Sequence, residues 1–144
     1  MLKFKLQEMP SVVIDTNVLV SGLLTSGKPA LILDMIFDRL FEIHLSQDVW
    51  EEYKIVCGRD KFSQSEAFVR KSKNIFDFFE EDGKWFKPTT SLNVSIDSSD
   101  NKFLELAVDS RADFFVTGNL KHFPKDEFQG IKIISPADFI VFFQ

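Results

Sequence analysis

Cysteine is nearly absent from this chain: Cys57 stands alone, so no intrachain disulfide can form and a reducing compartment suits the protein best. Its neighbours read as core, which makes it a packed thiol. Histidine is almost as scarce, with two in 144 residues, and no cluster of Cys and His suggests zinc. No stretch approaches the roughly 18 consecutive apolar residues of a membrane-crossing helix. The start MLKFKLQEMP is too short and too interrupted by charge for a signal peptide, which points to a cytoplasmic protein with no membrane partner. Internal repeats, low-complexity tracts and linker-like blocks are missing as well.

What is present describes one domain spanning 1–144, long enough for a substantial core. Hydrophobic residues make up 44% and charged residues 27%, with 17 Phe, the composition of an ordinary soluble domain with a Phe-heavy core. A net charge of -5 argues against broad adhesion to nucleic acid or anionic lipid, although a local basic patch would be hidden in that sum.

Along the chain, strands alternate with helices. Ser11 to Ile14 is continuous and apolar, as a strand covered on both faces would be, and Asn17 to Leu24 then takes up helical spacing. A second helix opens at Pro29, and "FEIHL" at 41–45 reads as a second strand. Ser46 caps a helix from Gln47 to Cys57 that Gly58 closes. A longer helix runs from Ser63 or Ser65 to Glu81, with Ala67, Phe68, Ile75, Phe78 and Phe79 as core candidates. "WFKP" at 85–88 is a third strand, and Ser99 is the expected cap of a helix from Asp100 to Ser110. "FFVT" at 114–117 and "IKII" at 131–134 supply two more strands before a Phe-rich last helix from Pro136. The expected fold is α/β: a three-layer α/β/α domain around a central, mostly parallel five-stranded sheet.

Ligands of such sheets bind beyond the carboxyl ends of the strands. That edge collects Asp15, Thr16 and Asn17 after the first strand, Glu51 and Glu52 on the helix after the second, Asp97 and Asp100 before the fourth, and Thr117-Gly118-Asn119 after it. At about 100° per residue, Val49, Trp50, Tyr53, Val56 and Cys57 form one apolar stripe; Glu52 borders it and Glu51 faces away. Asp100 shares its face with Phe103, Leu104 and Ala107, so Glu52 and Asp100 are preferred, with Asp97 in reserve. Three gathered carboxylates repel one another unless protons or a cation share the site. All-oxygen donors favour Mg²⁺ or Mn²⁺, and such an ion suits phosphodiester hydrolysis by an activated water. Asn119 stands where a fourth acid would otherwise complete the set.

Together, "VVIDTNVLVSGLL", "SQDVWEEYKIV", "DSSDNKFLELAVDSRADFFVTGN" and "LKHF" resemble the PIN-domain nucleases, nearest to the bacterial toxins of toxin–antitoxin pairs similar to VapC proteins. The resemblance implies an Mg²⁺- or Mn²⁺-dependent endoribonuclease with Asp15, Glu52 and Asp100 as catalytic, metal-binding acids, Asn119 in the metal shell, and Thr16, Asn17 and Thr117 shaping the site. It also implies an RNA substrate, a small antitoxin partner and a homodimer. The family commonly has Asp where this chain has Asn119, which bears on two-metal chemistry.

Other features carry less. "GRDK" at 58–61 and "RKSK" at 70–73 offer cations to RNA phosphates or are solvated helix faces. His44 and His122 read as structural histidines in apolar surroundings. Phe139, Phe142 and Phe143 read as a terminal helix docked on the core. A haloacid-dehalogenase-like phosphatase would need a second acid at Asn17. A PIN-fold RNA- or protein-binding module weakened through Asn119 is the rival of a different class.

Overall fold

The computed structural model describes residues 9–93 and 97–143. The charged start at 1–8, positions 94–96 of the polar stretch and residue 144 lie outside the described residues. Strands β1 (Ser11–Ile14), β2 (Glu42–Ser46), β3 (Lys84–Phe86), β4 (Phe114–Val116), β5 (Glu127–Phe128) and β6 (Ile131–Ile134) form one sheet in the order β3-β2-β1-β4-β6-β5. Every ladder is parallel except that between β5 and β6. All four residues of β1 are buried, which is why the strand reads as an unbroken apolar run.

The sheet has six strands rather than five. The additional β5 is two residues long and returns to β6 through Gln129 and Gly130, both at positive φ (49° and 88°), a tight hairpin turn. A two-residue strand has no periodicity to read.

Helices α1 (Thr16–Leu24), α2 (Lys28–Phe37), α3 (Gln47–Cys57), α4 (Asp60–Ser63), α5 (Glu66–Asp82), α6 (Asn101–Ser110) and α7 (Pro136–Phe142) flank the sheet. No single helix among the described residues is long and apolar enough to cross a membrane. Hydroxyl caps start three of them: Ser46 accepts from the Val49 N–H, Ser65 from Phe68 and Ser135 from Asp138. The expected cap at Ser99 is replaced by Asp97, whose Oδ1 accepts from the Ser99 N–H and hydroxyl and so starts a 3₁₀ turn, Ser98–Asp100, that leads into α6. A carboxylate two residues back reaches both donors at once, which a serine cannot do.

Phenylalanine fills the interior. Phe103 of α6 stacks on Phe115 of β4, and Phe139 of α7 is fully buried against Phe41 and Phe114. The terminal helix is therefore docked on the core. In α5, Phe68, Ile75 and Phe79 are buried and Phe78 stacks on Phe37, while Ala67 is exposed.

Strand order decides where a ligand can sit. The chain leaves β1 for β2 and β3 on one side, then crosses back to β4 on the other. The direction of winding reverses between β1 and β4, and the crevice beyond their carboxyl ends is the place such sheets offer a ligand. Asp15 follows one strand and Thr117 the other.

The α5–β3 junction tests this packing. A Cβ on Gly83 would stand 2.5 Å from both the Phe79 carbonyl oxygen and Leu45 Cδ1. Backbone cannot yield as a side-chain tip can, so Gly83→Ala is expected to destabilise the chain by about 1–3 kcal/mol. Thermal melts of the two proteins measure the difference.

Candidate active site

Asp15 is built into the fold as well as exposed to its chemistry. Its Oδ1 accepts the Val18 N–H at 2.9 Å, which caps α1, and its Oδ2 accepts the Thr117 hydroxyl. The Asn119 N–H in turn donates to Thr117 Oγ at 3.0 Å. The backbone is pinned on two more sides: Asp15 N–H donates to the Val116 carbonyl at 3.1 Å, and the Tyr53 hydroxyl donates to the Ile14 carbonyl at 2.5 Å. Tyr53 reads in the sequence as one more apolar position of α3, yet its hydroxyl ties that helix to the end of the central strand.

Asp15 retains only 5% of its exposure. Burial pushes its pKa up from the ordinary 3.8, the bonds from Thr117, Val18 and Gly118 pull it down, and the nearby charge of Asp100 raises it again. All its hydrogen-bond donors are neutral. Among the described residues, its charge, when present, has no cation against it.

Glu52 is held differently. Its Oε1 lies 2.7 Å from Lys102 Nζ and its Oε2 accepts the Thr16 hydroxyl, so α1, α3 and α6 meet at one carboxylate. Its neighbour Glu51 is exposed and takes the Gln47 amide at 2.9 Å, as the helical angle requires. Lys102 is a participant that sequence reading missed. It sits two residues after Asp100 in a helix whose other charged positions, Glu105 and Asp109, bond the Leu92 N–H and Thr90.

Asp100 lies at the start of α6, half-buried, with Oδ2 3.1 Å from His122 Nδ1. His122 thus lies at the rim of the site, where the 3₁₀ turn after β4 brings its ring against a site acid. His44 stays structural, buried in β2 with Nε2 2.9 Å from Glu42 and its ring against Phe86, and burial lowers its pKa. Asp97 is exposed, and its bonds from Ser99 hold its carboxyl below the usual value. Cys57 is buried, its thiol pushed up to about 11, which makes it unreactive.

Beside the acids lies an open pocket of about 650 Å³, lined among others by Asn17, Glu52, Arg59, Ser99 and Lys102. Arg59 is thus the member of the "GRDK" and "RKSK" segments that reaches the site. Lys73 instead pairs with Asp77 on the exposed face of α5. Asn17 is exposed at the pocket, Thr16 and Thr117 are buried, and Asn119 contributes its backbone N–H.

Among the described residues, no three Asp, Glu, His or Cys side chains converge closely enough to cage an ion. Mg²⁺ does not ask for such a cage: it keeps several waters and takes one or two carboxylates. Asp15 and Asp100 meet that requirement, as two oxygen donors whose charges oppose each other and of which Asp15 has only neutral partners. The donor chemistry fits a hard divalent cation.

Comparison with known proteins agrees with the fold. A family profile described as PIN domain matches residues 11–121. An uncharacterized protein of Methanocaldococcus jannaschii, MJ1680, is 33% identical over 109 residues, which cover 75% of this chain and 70% of that protein. Among solved structures, VapBC2 from Rickettsia felis, bound to a DNA fragment from its promoter, superposes with a TM-score of 0.54 at 15% identity, over 87% of this chain and 98% of that one.

The buried carboxylate has a consequence for stability. A group whose folded pKa is raised contributes most below its unfolded value and loses that contribution as pH rises through the folded one. In EDTA, Asp15→Asn, which keeps the Val18 cap, is therefore expected to melt higher than the wild type at pH 7. The difference should shrink as pH falls through the raised folded pKa toward the ordinary value of 3.8, because protonation removes the buried charge of the wild type. Melting temperatures across pH for both proteins check the sign.

Proposed function

The chain belongs to the PIN domain family, and from that premise we propose that it is a divalent-metal-dependent endoribonuclease. The observation that carries this reading is the pair Asp15 and Asp100, near enough at the switch point of a parallel sheet for one charge to act on the other, with no cationic partner for Asp15 among the described residues. A bound Mg²⁺ or Mn²⁺ would polarise a phosphate oxygen and lower the pKa of a water. Asp15 and Asp100 would hold the ion. Glu52 stands beside them, and Asn119 adds no charge.

The remaining residues orient and bind. Thr117 and the Val18 N–H aim the two oxygens of Asp15, and Tyr53 keeps the end of β1 from drifting. Arg59, Lys102 and the exposed amide of Asn17 line the pocket through which an RNA backbone would approach the acids. Arg59 and Lys102 put cations at this pocket although the chain as a whole carries a net charge of -5.

The likeness in fold to VapBC2 supports a place as the toxin of a toxin–antitoxin pair. Leu24, Leu31 and Phe37, all exposed along the corner of α1 and α2, provide apolar surface for an antitoxin or a second copy of the chain.

Purified chain free of any partner is expected to cleave single-stranded or structured RNA with Mg²⁺ or Mn²⁺ and to stop in EDTA. Asp15→Asn and Asp100→Asn should each lower the rate by about a hundredfold or more. Cleavage that survives EDTA or both substitutions would sink the assignment. RNA binding without cleavage in any metal would favour the binding-module reading.

A further inference from the structure

The pocket beside the acids contains a cation that the chain supplies itself. Lys102 Nζ is 2.7 Å from Glu52 Oε1, and the two side chains keep only 27% and 25% of their exposure. The Thr16 hydroxyl occupies the other oxygen of Glu52. Glu52 is thus neutralised and doubly held before any ion arrives. Asp15, by contrast, receives only the Val18 and Gly118 N–H groups and the Thr117 hydroxyl, none of which carries charge.

Resting on the reading of this edge as a nuclease centre, we propose that Lys102 is its fixed second cation and sets the number of bound divalent ions at one per chain. Lys102 already offsets Glu52, which leaves Asp15 and Asp100, the latter against His122 Nδ1, as the acids that face an ion. Asn119, an amide, adds no charge toward a second ion. A second ion at Glu52 would also have to displace an ammonium already within ion-pairing distance. Asp48, Glu51 and Arg59 line the same pocket but are exposed, whereas Glu52 and Lys102 are largely withdrawn from solvent and paired with each other. Lys102 is in this sense a positioning residue: it keeps Glu52 out of the metal shell and facing α1 and α6.

The number of bound ions tests the role, because a merely structural lysine would not change it. Whole chain stripped with EDTA is titrated with Mn²⁺, and bound and free ion are separated by their electron paramagnetic resonance signals. The wild type is expected to bind one Mn²⁺. Lys102→Arg keeps the charge and should bind one, whereas Lys102→Met frees Glu52 and should bind a second. Glu52→Gln should still bind one, since Glu52 is not a ligand of that ion. Two ions in the wild type, one in a folded Lys102→Met protein, or none in Glu52→Gln would each overturn the proposal. If Lys102→Met does not fold, the wild type and Glu52→Gln decide. RNA cleavage in parallel separates the two levels of inference: activity that persists in EDTA refutes the nuclease centre itself, while metal-dependent activity with two bound ions refutes only the role of Lys102.

Discussion

A carboxylate sealed at the end of the central strand is the constraint around which this molecule is arranged. Asp15 sits where β1 stops, almost out of water, and a buried charge there is tolerated only if its oxygens are hydrogen-bonded. Three elements hold the carboxylate and its backbone in place. The first turn of α1 supplies an N–H, the end of β4 supplies the Thr117 hydroxyl, Val116 receives the Asp15 N–H, and Tyr53 of α3 holds the preceding carbonyl. The residue that begins α1 is thereby also the residue that faces the crevice, so the fold and the site cannot be altered independently.

The acids of this edge fall into two electrical classes. Glu52 is matched by Lys102, and the pair behaves as part of the packing between α3 and α6. Asp15 has only neutral donors and feels the charge of Asp100, an arrangement that does nothing for the stability of the metal-free chain. Natural proteins keep such uncompensated groups where binding repays them, and the cost is visible as a pKa raised by burial. The geometry therefore separates residues that hold the site together from residues that await a ligand.

Much of the arrangement was legible from local pattern. Glu52 was separable from Glu51 because one residue of helix turns a side chain by about 100°, which carries Glu51 out to Gln47 and Glu52 in toward Thr16. The core strands were legible as apolar runs, and Asp15 because polar residues interrupt such a run abruptly. Three participants were not. Lys102 is 50 positions from Glu52, Tyr53 is 39 from Ile14 and His122 is 22 from Asp100, separations over which no periodicity carries information. Ser99 was read as the cap because it is a short polar side chain directly before a helix, and only the 3₁₀ turn at Ser98–Asp100 gives that place to Asp97.

The sequence by itself determined the strand and helix order, the family, and which acids border an apolar face, because each is written in spacing of a few residues against a period of two or 3.6. Only the tertiary structure decided how the charges pair. Ion pairs and hydrogen bonds depend on distances of about 3 Å, and those arise when β4 returns beside β1 and α6 crosses toward α3. Until that closure, Lys102 is one basic residue among 17; after it, it is the one against Glu52.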